Sequence, residues 1–155
     1  RMPTDATTPN DQVSAWCAWD EQAMLAAHEA GVPARLFASL INRESGNNPD
    51  APGGIAQIDR RFHDAPFGAM AELRYAASLV RRYHDELGRY DLAVAAYNAG
   101  YPTVKALGFV PWSSTRYVTN VLSDALEPSP CAPSPIVSML DIPLMLAIVA
   151  SHVLR

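Results

Sequence analysis

The chain has 155 residues, which is enough for one domain of ordinary size with a buried core. Charged residues make up 18% of the sequence and the net charge is −4. We therefore expect no nucleic acid as a partner, because phosphate binding needs a basic surface. Nor do we expect a metal or another cofactor, since the histidines lack the spacing of a metal site; they are His28, His63, His84 and His152.

The N-terminal residues 1–12 are polar and contain Thr and Pro, which is typical of a flexible arm. The domain itself is expected from residue 13 to residue 127. Its first helix is predicted over residues 14–30, with Ser14 as the N-cap and Gly31 as the stop. Two tryptophans, Trp16 and Trp19, lie on the apolar face of this helix. We interpret them as core residues rather than as a platform for a sugar ring.

The second predicted helix carries an acid at the end of its apolar stripe. It begins near Pro33 and is broken by residues 45–49 (SGNNP). Apolar residues at 36, 37, 40 and 41 form the stripe, and Glu44 is its next position. We expect the Glu44 carboxyl to be partly desolvated, which raises the pKa of a carboxyl and suits it to general-acid catalysis. The alternative is a surface carboxylate paired with Arg43.

The third predicted helix covers residues 69–87 and presents inward-facing apolar residues along its length. On its outer side, Arg81 and Arg82 stand four residues before Asp85 and Glu86. This spacing predicts two i, i+4 ion pairs on a solvent-exposed face.

Two shorter helices are predicted towards the end of the domain. One covers residues 92–99, with Asp91 as its cap and Gly100 as its end, and the other begins at Ser113 or Ser114 and continues to about residue 126. No segment alternates with a period of two residues. The sequence therefore predicts a mainly α-helical fold.

The composition changes after residue 127. Residues 128–135 are rich in proline and predict a stiff linker, and residues 136–155 form an apolar tail. A tail helix over residues 142–154 would be about 20 Å long, which is shorter than the ~30 Å hydrocarbon core of a bilayer. Asp141 and Pro143 also disfavour a membrane span. We therefore expect the tail to pack on partner chains or on copies of itself. Association with a membrane and folding back onto the domain are the alternatives.

The chain has two cysteines, Cys17 in the first predicted helix and Cys131 in the linker. In an oxidising compartment they can form a disulfide that fixes the linker to the domain. The alternative is that Cys17 is a buried free thiol.

Four short motifs follow one another along the chain: residues 44–45 (ES), 54–58 (GIAQI), 96–100 (AYNAG) and 115–118 (TRYV). In this order they resemble the motifs of the soluble lytic transglycosylases, which have a goose-lysozyme-like catalytic domain. The resemblance covers roughly residues 23–126. Two features differ from the family pattern: the usual Gly-Leu-Met-Gln is Gly-Ile-Ala-Gln here, and the interval between Glu44 and Gln57 is shorter than in many members.

The resemblance implies that Glu44 is the catalytic acid and later the base of a reaction that needs only one carboxyl. It also implies that the remaining motif residues contact the glycan; they are Ser45, Gln57, Tyr97, Asn98 and Tyr117. We expect Tyr97 to donate its hydroxyl to Glu44 or to the sugar, and Asn98 to hold backbone groups at a helix end. A hydrolase would need a second carboxyl. Asp59, Asp64 and Asp91 are the candidates, although Asp91 is read as a cap.

The sequence thus favours a peptidoglycan lytic transglycosylase that cleaves the bond between N-acetylmuramic acid and N-acetylglucosamine. A hydrolytic muramidase on the same fold is the first alternative. A structural or glycan-binding component of a phage tail or secretion apparatus is the second. The expected location is the cell envelope outside the cytoplasm or a phage virion tail, and the sequence leaves these two open.

Overall fold

The computed structural model describes residues 9–129, residue 131 and, near the C-terminus, residues 147, 148 and 150. The described residues are mainly helical and include no β-strand, which confirms the predicted fold class. The helices are α1 (Pro9–Ala30), α2 (Ala34–Ser45), α3 (Ala69–Leu87), α4 (Tyr90–Ala99), α5 (Tyr101–Leu107), a 3₁₀ turn (Trp112–Ser114) and α6 (Thr115–Leu126).

Helix α4 lies at the centre of the domain and contacts α3, α5 and α6. Its middle residues 93–96 are Ala, Val, Ala and Ala, and all are buried. Small side chains let the neighbouring helices approach α4 closely. Helix α2 packs between α1 and α6. Its predicted apolar stripe, Leu36, Phe37, Leu40 and Ile41, has no solvent-exposed surface, and each such side chain stabilises the fold by about 1.5–3 kcal/mol.

Helix α1 begins at Pro9 rather than near Ser14, so the predicted helix start and N-cap are wrong, and residues 9–12 of the predicted arm are helical. Proline suits the first turn of a helix because an N–H there would have no partner within the helix. Asp11 in the first turn interacts favourably with the helix dipole. Residues 1–8 of the predicted arm lie outside the described residues. Of the two tryptophans expected in the core, Trp19 packs against it, whereas Trp16 is half-buried outside the core cluster, and its Nε1 donates to Asn42 Oδ1 at 3.2 Å.

Two details of the central helices differ from the sequence-based expectation. Helix α4 begins at Tyr90 with Arg89 as its N-cap, so Asp91 is not the cap; it lies buried in the first turn, where it pairs with Arg89 and accepts the Leu92 backbone N–H at 3.0 Å. Helix α5 was not predicted. It has only seven residues, too few for an apolar period to be recognised, although Pro102 in its first turn and Gly108 at its end mark its limits.

The chain just after α6 is held against the domain. Arg35 Nη2 donates to the Glu127 carbonyl at 3.0 Å, and Ser129 Oγ donates to the buried Asp20 carboxylate at 2.9 Å. Cys131 is buried and forms a disulfide with Cys17 of α1. The described residues of the predicted linker therefore follow the surface of α1.

Most of the predicted apolar tail, residues 136–155, lies outside the described residues, so its packing on partner chains or a membrane stays a prediction. Of the three tail residues described, Ile148 is buried and belongs to the hydrophobic core cluster of the domain. In the described part of the chain, no helix combines the length and apolar character needed to cross a bilayer.

Replacing both cysteines, as Cys17→Ser with Cys131→Ser, should lower the free energy of unfolding. The disulfide joins residues that are 114 positions apart in the sequence. In the chain-entropy model, a disulfide that closes a loop of this size stabilises the folded protein by at most ~4–5 kcal/mol, and often by less. Urea unfolding of the oxidised wild type and of the double variant measures this difference. Adding reductant should move the wild-type midpoint towards that of the variant. Equal midpoints in all three samples would contradict the prediction.

Candidate active site

An open cleft of about 700 Å3 crosses one face of the domain, a size typical of ligand-binding sites. The end of α2, the loop after Gln57, the C-terminal half of α3 and the junction of α4 with α5 form its walls. Three of the four motifs meet there. The polar side chains that line the cleft include Glu44, Gln57, Asp59, Arg82, Tyr97 and Asn98.

Glu44 reaches the cleft from the last turn of α2, which ends at Gly46 in the left-handed conformation. The side chain is half-buried, and burial raises the pKa of its carboxyl above the ordinary value. A hydrogen bond donated by the Tyr117 hydroxyl to Glu44 Oε1 partly opposes this rise. The alternative pairing with Arg43 does not occur, because Arg43 Nε binds Asp124 Oδ2 at 2.9 Å.

The two motif tyrosines make different hydrogen bonds. Tyr97 was expected to donate its hydroxyl to Glu44 or to the sugar; in the structure it donates to the Ala56 carbonyl at 2.7 Å, because the 53–57 turn brings that carbonyl to it. Tyr117, from α6, donates to Glu44 instead. Burial, followed by the nearby negative charge of Glu44, raises the pKa of both phenols, so both keep their protons. Tyr97 therefore stabilises the 53–57 turn, and Tyr117 orients the Glu44 carboxyl.

Gln57 lies at the end of a tight turn and has a left-handed backbone, with φ of +51°. Such a conformation is uncommon for a residue other than glycine and costs about 1–3 kcal/mol. The side-chain amide offsets part of this cost, since Nε2 donates to the carbonyls of Pro52 at 2.8 Å and Gly54 at 2.7 Å. The turn thus uses the donor end of the amide, and Oε1 is the end that can accept a hydrogen bond from a ligand.

A buried acid of α3 supports this turn from below. Glu72 is almost fully buried and pairs with Arg60, which follows the turn, while its carboxylate lies directly beneath Gly54. A Cβ added to Gly54 would lie less than 3.0 Å from the Glu72 carboxylate, so only glycine fits. The sequence did not single out Glu72. The signal was present, however, because Glu72 continues the buried stripe of Ala76, Leu79 and Tyr83 on α3.

Of the three candidates for a second carboxyl, only Asp59 lines the cleft with Glu44. Arg61 binds both of its oxygens and lowers the pKa of the Asp59 carboxyl to about 2. Asp64 is exposed outside this cleft, and Asp91 is buried with Arg89. Asp59 is therefore ionised at neutral pH, with its oxygens already bound to Arg61.

The other two motif residues contribute less directly. The Ser45 hydroxyl is buried beside Glu44 and is not part of the cleft wall. Asn98 lines the cleft, but it does not hold backbone groups as expected. Its Oδ1 accepts a hydrogen bond from Ser114 Oγ at 2.8 Å, which links the end of α4 to the start of α6.

Within the described ranges, no group of His, Cys, Asp and Glu side chains is arranged to bind a metal ion. No protein-family model, curated protein or solved structure matches the chain.

Gly54→Ala should destabilise the domain by more than the 1–3 kcal/mol expected for a left-handed backbone alone, because the new methyl group would displace the Glu72 carboxylate. Gly68→Ala is the matched control, since Gly68 has a similar φ of +99° and no neighbour within 4 Å of the added Cβ. Thermal and urea unfolding of both variants measures the difference. Equal losses would show that the contact with Glu72 does not constrain the turn.

Tyr117→Phe should raise the pKa of Glu44 further, because it removes the hydrogen bond that stabilises the ionised carboxylate while the ring keeps the site buried. Carbon-13 NMR titration of the Glu44 carboxyl measures this shift. Tyr101→Phe serves as the control, because it removes a phenol bonded to a different carboxylate, Glu86. A lowered or unchanged Glu44 pKa in Tyr117→Phe would contradict the assigned role of Tyr117.

Proposed function

We propose that the protein is a peptidoglycan lytic transglycosylase with a lysozyme-like catalytic domain. The observation that carries the proposal is the half-buried Glu44 carboxyl in the cleft, with its pKa raised by burial and its orientation fixed by Tyr117. A carboxyl that stays protonated to higher pH than usual is suited to donate a proton to a glycosidic oxygen. The order of the four motifs supports peptidoglycan as the glycan.

The reaction needs one acid and no second carboxyl. Glu44 donates its proton to the oxygen between N-acetylmuramic acid and N-acetylglucosamine, and the bond from the anomeric carbon to that oxygen breaks. The 6-hydroxyl of the same muramic acid residue attacks the anomeric carbon and forms the new bond. Its proton returns to Glu44. Water is not consumed, and one product ends in an anhydro-muramyl group.

The surroundings of Glu44 suit both halves of this cycle. The apolar end of the α2 stripe favours the protonated acid, whereas the Tyr117 hydroxyl stabilises the carboxylate that remains after proton donation. We assign Gln57 Oε1 as the acceptor for an N-acetyl N–H, because the turn uses only the donor end of the amide. Phe62, at the edge of the cleft, is 78% exposed and offers a flat apolar face to a sugar ring.

A hydrolytic muramidase is the second candidate, because Asp59 shares the cleft with Glu44. It is the weaker candidate, since both Asp59 oxygens are bound to Arg61 and a pKa of about 2 makes the carboxylate a poor base. For either enzyme, the Cys17–Cys131 disulfide supports action outside a reducing cytosol, at the cell envelope or on a phage tail. A purely structural or glycan-binding role would leave the raised pKa of Glu44 without a purpose.

Glu44→Gln should abolish cleavage of purified sacculi while keeping the fold, because the amide retains the shape of the side chain but has no acidic proton. The loss should be at least about 100-fold, the lower end for general acid catalysis. Release of soluble fragments from sacculi measures it. Glu29→Gln, the same change at an exposed ion pair with Arg74, is the control and should keep full activity.

The same variant carries a stability signature. The folded-state pKa of Glu44 is raised, so wild-type stability falls as the pH rises through that pKa. Gln has no proton to lose, and Glu44→Gln should gain stability relative to the wild type over the same range.

Wild-type-like clearance of sacculi by Glu44→Gln would exclude Glu44 as the acid.

A further inference from the structure

Arg82 is a cation at the cleft wall that takes no part in the proposed proton transfer. Arg82 lines the cleft from the C-terminal half of α3, and its guanidinium lies 5.5 Å from the centroid of the Tyr83 ring. The Tyr83 ring stacks in turn on Tyr101 at 5.2 Å, across the α3–α5 contact. Cation–π contact with a packed ring restricts the side chain and keeps the charge at the cleft wall.

The acids near Arg82 are occupied by other groups. The sequence predicted a pair with Glu86 four residues later, but that carboxylate accepts the Tyr101 hydroxyl and lies 3.9 Å from Lys105 Nζ. Asp85 pairs with Arg81, and the cleft residue Asp59 pairs with Arg61. Among the residues that the structure describes, Arg82 forms no ion pair. It is therefore available to bind an anion that enters the cleft.

We propose that Arg82 binds a free carboxylate of the peptide stem attached to muramic acid and so makes stem-bearing glycan strands the preferred substrate. The inference rests on the proposed function, because it assumes a peptidoglycan strand in the cleft. A guanidinium presents a planar set of donors that matches a carboxylate and can bind both of its oxygens. Arg82 is thus a specificity residue, separate from the reacting atoms.

Peptidoglycan offers carboxylates from two sources, and they can be separated chemically. In stem-bearing strands the lactyl carboxyl is tied up in an amide, so the free carboxylates belong to the stem. Strands stripped by an amidase have no stem and expose the lactyl carboxylate instead. Treating stem-bearing strands with carbodiimide and ammonia converts the stem carboxylates to neutral amides and changes little else.

The test is binding of these three soluble strands to protein carrying Glu44→Gln, so that no strand is cut during the measurement. In this background Arg82→Gln should weaken binding of the untreated stem-bearing strand about two- to fivefold, as expected for an exposed ion pair. It should leave binding of the amidated strand and of the stripped strand unchanged. Arg81→Gln is the matched control, because it removes the same charge from the next residue, whose guanidinium is bound to Asp85 and to the Gly31 carbonyl. This control should bind all three strands like its parent.

Failure of this inference can be told apart from failure of the proposed function. If wild-type protein cleaves sacculi and Arg82→Gln binds the untreated strand as tightly as its parent does, the carboxylate site is overturned while the catalytic proposal stands. If wild-type protein cleaves nothing but the Arg82-dependent preference is present, the site is supported without the catalysis. An equal loss on the amidated strand, or a loss confined to the stripped strand, would overturn the assignment to stem carboxylates.

Discussion

The burial of one carboxyl at the end of an apolar helix stripe is the constraint on which the site depends. The stripe of α2 is buried along its length, so the helix orientation is fixed by the core, and Glu44 must emerge where the core meets the cleft. Desolvation at that point raises the pKa of the Glu44 carboxyl, and a hydrogen bond from the Tyr117 hydroxyl of α6 orients this carboxyl. The acid is therefore tuned by the same packing that folds the domain.

Burying the Glu44 carboxyl costs folding stability, and other contacts between α2 and α6 offset that cost. Ser39 Oγ donates to the Val121 carbonyl at 2.8 Å inside the α2–α6 interface, and Arg43 pairs with Asp124 at its edge. The buried contact keeps the two helices in register and therefore keeps Tyr117 opposite Glu44. On the other side of the cleft, the ion pair of Arg60 with Glu72 anchors the turn that presents Gln57.

The sequence predicted helices and the burial of Glu44 well, because both follow from an apolar period that the core imposes. The same period would have indicated Glu72, had it been applied to acids on α3. Hydrogen-bond partners were harder to predict: Tyr97 donates to a carbonyl presented by a left-handed turn, and a motif does not encode that geometry. The expected pair of Arg82 with Glu86 fails for a related reason, since α5 brings Tyr101 to Glu86 and the spacing along α3 carries no information about α5.

The central claim is that a single carboxyl drives cleavage by internal attack without consuming water. A mass spectrum of the soluble fragments released from purified sacculi by the wild-type protein tests it most directly. The account predicts muropeptides ending in anhydro-muramic acid, which are lighter by one water than the corresponding hydrolysis products. Fragments that carry only reducing muramic acid ends would contradict it, because they require a water molecule activated by a second base such as Asp59.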